Sequence, residues 1–263
     1  MDKIKTIIRK EWSEVFKNRF VLFTVAFLPL ILTALPLGIL FATRSLESGS
    51  AVASDIPAQF LEFCPSGLSG GECFQVYMVS QFLILFMMMP MMIPVTIAAY
   101  SIVGEKTTRS LEPLLATPIT TAELLTGKSL AAVIPAVAAT WVGFIIFALG
   151  SAMIVDNPVV LKALLNPLWL IAVIIVGPLM ALMAVNASIM ISSRVTDPRV
   201  AEQLSMVVIV PVLALFFGQI SGLFILNQTL ILIIAVILVF VDILLVYLAV
   251  HVFQRENIIT RWK

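Results

Sequence analysis

The sequence predicts an all-α integral membrane protein with six transmembrane helices, an N-terminal interfacial amphipathic helix, and a helical polar loop between spans two and three. Three observations predict it. Hydrophobic residues make up 61% of the 263 and charged residues only 12%, with a mean hydropathy of +1.11, where soluble domains carry about 25% charged residues. Six apolar runs are long enough to cross a bilayer, which takes about 20 helical residues. They are continuous rather than alternating, which excludes a β-barrel. Finally, fourteen of the sixteen lysines and arginines fall on one side of the six spans, the bias that marks the cytoplasmic face.

The elements follow in order. In residues 1–19, Ile4, Ile7, Ile8, Trp12, Val15 and Phe16 share one helical stripe, with Lys and Glu opposite. This stripe predicts a helix in the membrane interface, with Ile8, Trp12 and Phe16 on the apolar side, and not a cleavable signal peptide. The spans are expected at 20–42, 78–103, 129–154, 167–191, 204–226 and 230–253, in one transmembrane domain covering 1–263. The fifth is interrupted by Pro211, Gly218, Gln219 and Gly222, which predicts a shorter helix followed by a re-entrant or surface piece.

Orientation places both termini and the 104–128 loop in the cytoplasm, leaving only Arg44 and Lys162 on the opposite side. The 43–77 loop then faces outward and holds both cysteines. In CPSGLSGGEC (64–73) the glycines let the chain fold back, so a Cys64–Cys73 disulfide is expected on the oxidising side. Two thiolates without histidine make an incomplete metal site.

The 104–128 loop is too long and too patterned for a simple turn. Leu111, Leu114 and Leu115 stand at helical spacing around Glu112, Pro118 breaks the pattern, and Thr121 is the expected N-cap of a second short helix. An amphipathic helix at a membrane surface suits docking. The stretch GEKTTRSLEPLLATPITTAELLTGK resembles the cytoplasmic loop of type 2 ABC transporter permeases. The residues that match are Glu105-Lys106, Ser110-Leu111-Glu112, Leu114-Leu115, Thr117-Pro118, Glu123-Leu124 and Gly127-Lys128. Arg109-Ser110 departs from the glycine often found there in that family.

The resemblance implies a permease subunit of an ATP-driven export complex. Two permease chains would pair, as a homodimer or related heterodimer, and each would dock a separate ABC ATP-binding subunit. Residues 1–19 would be the elbow helix and 104–128 the coupling loop. Glu105, Arg109, Leu111, Glu112, Leu114, Leu115, Pro118, Glu123 and Lys128 would form the coupling interface. ATP and Mg would be bound by the partner, and the chain itself would hold no cofactor. The location implied is a prokaryotic inner or plasma membrane.

Elsewhere the residues offer little chemistry. Leu125-Thr-Gly-Lys-Ser129 mimics a phosphate-binding loop, but Ala122 stands where the first glycine is required. Catalytic residues are therefore not expected. Met88, Met91 and Met92 share a helical face beside Pro90 and Pro94. They suit a kinked span along a substrate path better than a Cu(I) site, which would need Cys or His nearby. Asp242 lies deep in span six and has two readings, a packing hydrogen bond or a contact with cargo or protons. His251 reads as interfacial, and Asn186 is isolated in span four. The residues leave two other functions open. An ion-gradient-driven secondary transporter needs polar groups clustered at the midplane, and a non-transporting membrane assembly subunit needs none. The sparsely charged spans suit apolar or amphipathic cargo.

Overall fold

The computed structural model describes residues 2–17, 19–43, 64, 68–107 and 119–252. Every regular element among them is helical. Helix α1 (Asp2–Val15) precedes span one, α2 (Arg19–Thr43). Span two is two helices in line, α3 (Gly70–Phe86) and α4 (Met89–Thr107), and span three is the single long α5 (Thr121–Ile154). Span four is assembled from α6 (Pro158–Leu164), α7 (Pro167–Ile171), a π-turn (Ala172–Val176) and α8 (Gly177–Ser192). Span five joins α9 (Pro198–Ser205), a 3₁₀ turn (Met206–Ile209) and α10 (Val210–Ile220), and span six is α11 (Gln228–Val252).

By length and composition the membrane-crossing segments are Val21–Thr43, Gly70–Glu105, Thr121–Ile154, Pro158–Ser192, Pro198–Ile220 and Gln228–His251. Several begin earlier than hydropathy predicts, because polar residues cap or continue the helices. Span two starts at Gly70 rather than 78, where Ser69 and Glu72 exchange side-chain and backbone hydrogen bonds in a capping box. Asn157 and Asp197 cap the starts of spans four and five by accepting from Val159 N and Arg199 N at 2.9 and 2.8 Å. Span five ends at Ile220, short of 226. Gly222 takes φ 70°, and the amides of Leu223 and Gly222 close on the carbonyls of Gly218 and Gln219, each at 3.0 Å. That left-handed turn stops the helix, and 221–227 folds back non-helically.

Span two is the hub, 78% buried, while spans one, five and six are only 17%, 22% and 22% buried. The outer helices present Phe41, Phe240 and Tyr247 outward, as a bundle solvated by lipid does. Met91 is buried in the core, with Met88 and Met92 packed against it. Met88 sits in the two-residue break between α3 and α4, and its carbonyl accepts from Met91 N at 3.1 Å and Met92 N at 2.9 Å, opening the first turn of α4. Pro90 explains the break, since it has no N–H to offer Phe86.

Proline also accounts for the π-turn. Gly177 N–H reaches back five residues to Ala172 O. Pro178 cannot do the same for Val173, and Trp141 Nε1 donates to Val173 O instead, at 3.2 Å.

Candidate functional site

The two flanks of the 104–128 loop are helix ends. Glu105 lies in the last turn of α4. On the other flank α5 starts with a capping box, in which Thr120 Oγ1 accepts from Glu123 N at 3.2 Å and Glu123 Oε2 accepts from Thr120 N at 2.8 Å. The N-cap is therefore Thr120, one residue before the expected Thr121. Residues 121–128 are not a separate surface helix but the root of span three, since one helix runs from Thr121 to Ile154. Arg109, Leu111, Glu112, Leu114, Leu115 and Pro118 lie outside the described residues.

Helix α1 packs along that root with its chain direction parallel to α5. Lys3 pairs with Glu123 at 3.6 Å. Ile7 meets Gly127, where a Cβ would lie 2.8 Å from Ile7 Cγ2. One turn further, Lys128 Nζ stands 2.7 Å from Glu11 Oε1 and 2.8 Å from Glu105 Oε2. Lys10 Nζ reaches Glu105 Oε1 at 2.5 Å, and Ser101 Oγ bridges Glu11 at 2.5 Å and Lys128 at 2.8 Å. Glu11, Glu105 and Lys128 are only 2%, 4% and 6% exposed.

This cluster corrects the expectation that Glu105 and Lys128 face a docking partner. Both are turned inward, each ion-paired with groups on α1 or the opposite flank. Buried charges need such pairing, since removing one partner leaves the other uncompensated. Burial pushes the Glu11 carboxyl up, but Lys128, Ser101 and Lys10 outweigh it and hold the group below the ordinary carboxylate value. Burial pulls Lys10 down, and Glu105, Glu11 and Glu14 together raise it above the ordinary lysine value.

Glu11 was the residue sequence reasoning missed. It stands with Ile7 and Val15 at positions i, i+4 and i+8, and these three form the buried face of α1. An acid inside an apolar stripe was the available signal. The inner face is thus rotated from the expected one: Ile8 and Trp12 are half-buried and Phe16 is exposed. Trp12 Nε1 donates to Ala131 O at 2.9 Å. At the same end of the bundle, Thr96 Oγ1 donates to Glu202 Oε1 at 2.7 Å and ties α9 to α4.

A family profile described as ABC-2 family transporter protein matches residues 5–250, nearly the whole chain. The chain belongs to the ABC-2 transporter family. It is a multi-pass membrane component of an ABC transporter, not itself catalytic, and membership implies association with an ABC ATP-binding subunit. No curated protein matches it.

Two further features of this ABC-2 permease lie away from the loop. At the opposite end of span two, Cys64 and Cys73 are disulfide-bonded with Cα atoms 6.0 Å apart, and Asn157 Nδ2 donates to Glu72 Oε1 at 2.5 Å. Asp242 is buried on the inner face of α11, in line with Ile231, Ala235, Leu238 and Ala249. Neither of its oxygens has a hydrogen-bond partner among the described residues.

Proposed function

We propose that this chain is the permease of an ATP-driven exporter whose 104–128 loop docks a separate ATP-binding subunit and passes its movement to the spans. The observation that supports it best is the charge cluster. Glu105, Glu11 and Lys128 join the end of span two, the elbow helix and the start of span three at one point. A push on the loop between α4 and α5 would reach three helices together. Such stiffness suits a device that must shift a packed bundle between two arrangements. Docking itself belongs to the loop between those flanks, with Arg109, Leu111, Glu112, Leu114, Leu115 and Pro118 carrying the contact by resemblance to the type 2 permeases. Two permease chains would pair across the lipid-facing helices, both termini would lie in the cytoplasm of a prokaryotic cell, and ATP and Mg would be bound by the partner subunit.

The test is co-purification of the intact chain with an ATP-binding subunit encoded beside it. Leu114→Asp with Leu115→Asp should abolish capture while the chain still inserts and keeps its thermal midpoint. Undiminished capture by that double variant would remove the loop from the docking role.

A further inference from the structure

Helix α9 and the 3₁₀ turn after it sort their residues into three stripes. Ala201 and Ser205 are buried, Ala201 with Ala99 and Val103 of α4, and Ser205 donating to Ser188 Oγ of α8 at 3.3 Å. Val200, Leu204 and Val207, at i, i+4 and i+7, are exposed and apolar. Arg199, Gln203 and Met206 repeat that spacing one residue earlier, about 100° round the helix, with Glu202 beside them.

The third stripe lines a crevice. Arg199, Glu202, Gln203 and Met206, with Tyr100 contributed by α4, border about 490 Å³, a volume within the range of small-molecule sites. Glu202 Oε1 accepts from Thr96 Oγ1 at 2.7 Å. This bond fixes the carboxylate and leaves most of its acceptor capacity open. Arg199 stands one turn from Glu202 on the same face, yet neither belongs to an ion pair among the described residues. The crevice therefore presents a cation and an anion that do not neutralise each other by direct contact. Two spans end here. Tyr100 is near the Glu105 end of one membrane-crossing segment, and Arg199 is at the Pro198 start of another. That is the depth of lipid head groups, where tyrosine rings and long basic side chains settle.

We propose that this crevice holds the head group of a zwitterionic phospholipid with a primary ammonium, its acyl chain lying along Val200, Leu204 and Val207. The guanidinium of Arg199 offers the planar fork that takes a phosphate through two hydrogen bonds. The Glu202 carboxylate and the Gln203 amide oxygen accept from the ammonium. A purely anionic head would set a second negative charge beside Glu202. A quaternary ammonium has no N–H to give it. The apolar stripe borders the polar one along its length, as an amphiphile with a charged head requires.

Binding is a property of this chain alone and needs no ATP-binding subunit, so the two readings fail separately. The full chain, delipidated in detergent, is titrated with dioleoyl phosphatidylethanolamine, phosphatidylcholine and phosphatidylglycerol, and bound lipid is counted by native mass spectrometry. One phosphatidylethanolamine per chain should bind about tenfold more tightly than either of the others. Glu202→Gln keeps an acceptor for Thr96 and should bring phosphatidylethanolamine down to the phosphatidylcholine level. Arg199→Gln removes the phosphate contact and should weaken both of these lipids alike. Thermal midpoints report folding, and the exposed Arg199 position decides alone if Glu202→Gln does not fold. Equal binding of the three lipids, or an ethanolamine preference and affinity that both variants keep, would mean boundary lipid only and would overturn the proposal. So would a dimer that takes up no phosphatidylethanolamine, which would assign this face to a second copy. Equal competition by glycerophosphoethanolamine, which has the head and no acyl chains, would mark a soluble ligand and overturn it as well.

Discussion

Trp12 Nε1 donates a 2.9 Å hydrogen bond to the carbonyl of Ala131, four residues before Pro135 in the same helix. Pro135 has no N–H, so this carbonyl loses its intrahelical donor. The indole of α1 supplies the missing bond, as Trp141 does for Val173 before Pro178. Trp12→Phe should therefore destabilise by about 1 kcal/mol. In a Pro135→Ala background, where the backbone donor returns, the same change should cost less. A double-mutant cycle on thermal midpoints in detergent measures the difference, and additive effects would disprove the pairing.

Lys128→Met should be among the most damaging single changes in the chain, on the order of 3–5 kcal/mol, because it leaves Glu11 and Glu105 buried without their shared cation. Replacing Glu11, Glu105 and Lys128 together with apolar residues of similar size should recover much of that loss. Denaturant or thermal unfolding of the purified chain distinguishes the two cases. Equal losses in the single and triple variants would contradict the network.

The cluster also sets a pH window. Glu11 is held below its ordinary value of 4.5, so its contribution is full above that value and is lost as pH falls through the lower folded one. Lys10 is raised above 10.5, so its contribution is full below that value and is lost as pH rises through the higher folded one. Between these limits the two groups should leave stability flat. Thermal midpoints across pH should fall in acid, and Glu11→Gln should shrink that acid limb. An unchanged acid limb would show that Glu11 does not carry it.

Cys64 and Cys73 should be closed to a membrane-impermeant maleimide in intact cells and open to it after an impermeant reductant. Labelling of both before reduction would count against the bond, and no labelling after reduction would count against the outward placement.

Asp242→Asn keeps a polar group on the inner face of α11 and should preserve ATP-driven export. Asp242→Leu should change stability by about 1 kcal/mol. Export lost in a stable, assembled Asn variant would make the carboxylate a cargo or proton contact.

Six long apolar runs made the membrane bundle readable from sequence and the 104–128 motif made the family readable, but helix ends were not. Hydropathy stops at Lys128, whereas the helix runs back to Thr121 under a cap that hydropathy does not register. The split of span two and the π-turn of span four depend on prolines whose effects are settled by other helices, Trp141 among them. At the candidate site, Glu105 and Lys128 were legible as charges, but not the pairing of Lys128 with both Glu105 and Glu11, since Lys128 and Glu11 are 117 residues apart. A charge at a helix root looks the same in sequence whether it faces a partner or its own fold.

In the proposed mechanism the Glu11–Lys128–Glu105 junction carries movement from the loop into the spans. In the complex with an ATP-binding subunit, spin labels at Glu14→Cys on α1 and Met153→Cys at the far end of α5 report their separation by pulsed electron resonance. ATP should shift that distance distribution with the native junction. With Glu11, Glu105 and Lys128 all changed to Gln, the subunit should still bind and the shift should disappear. An undiminished ATP-dependent shift in that variant would show that the junction does not carry the movement.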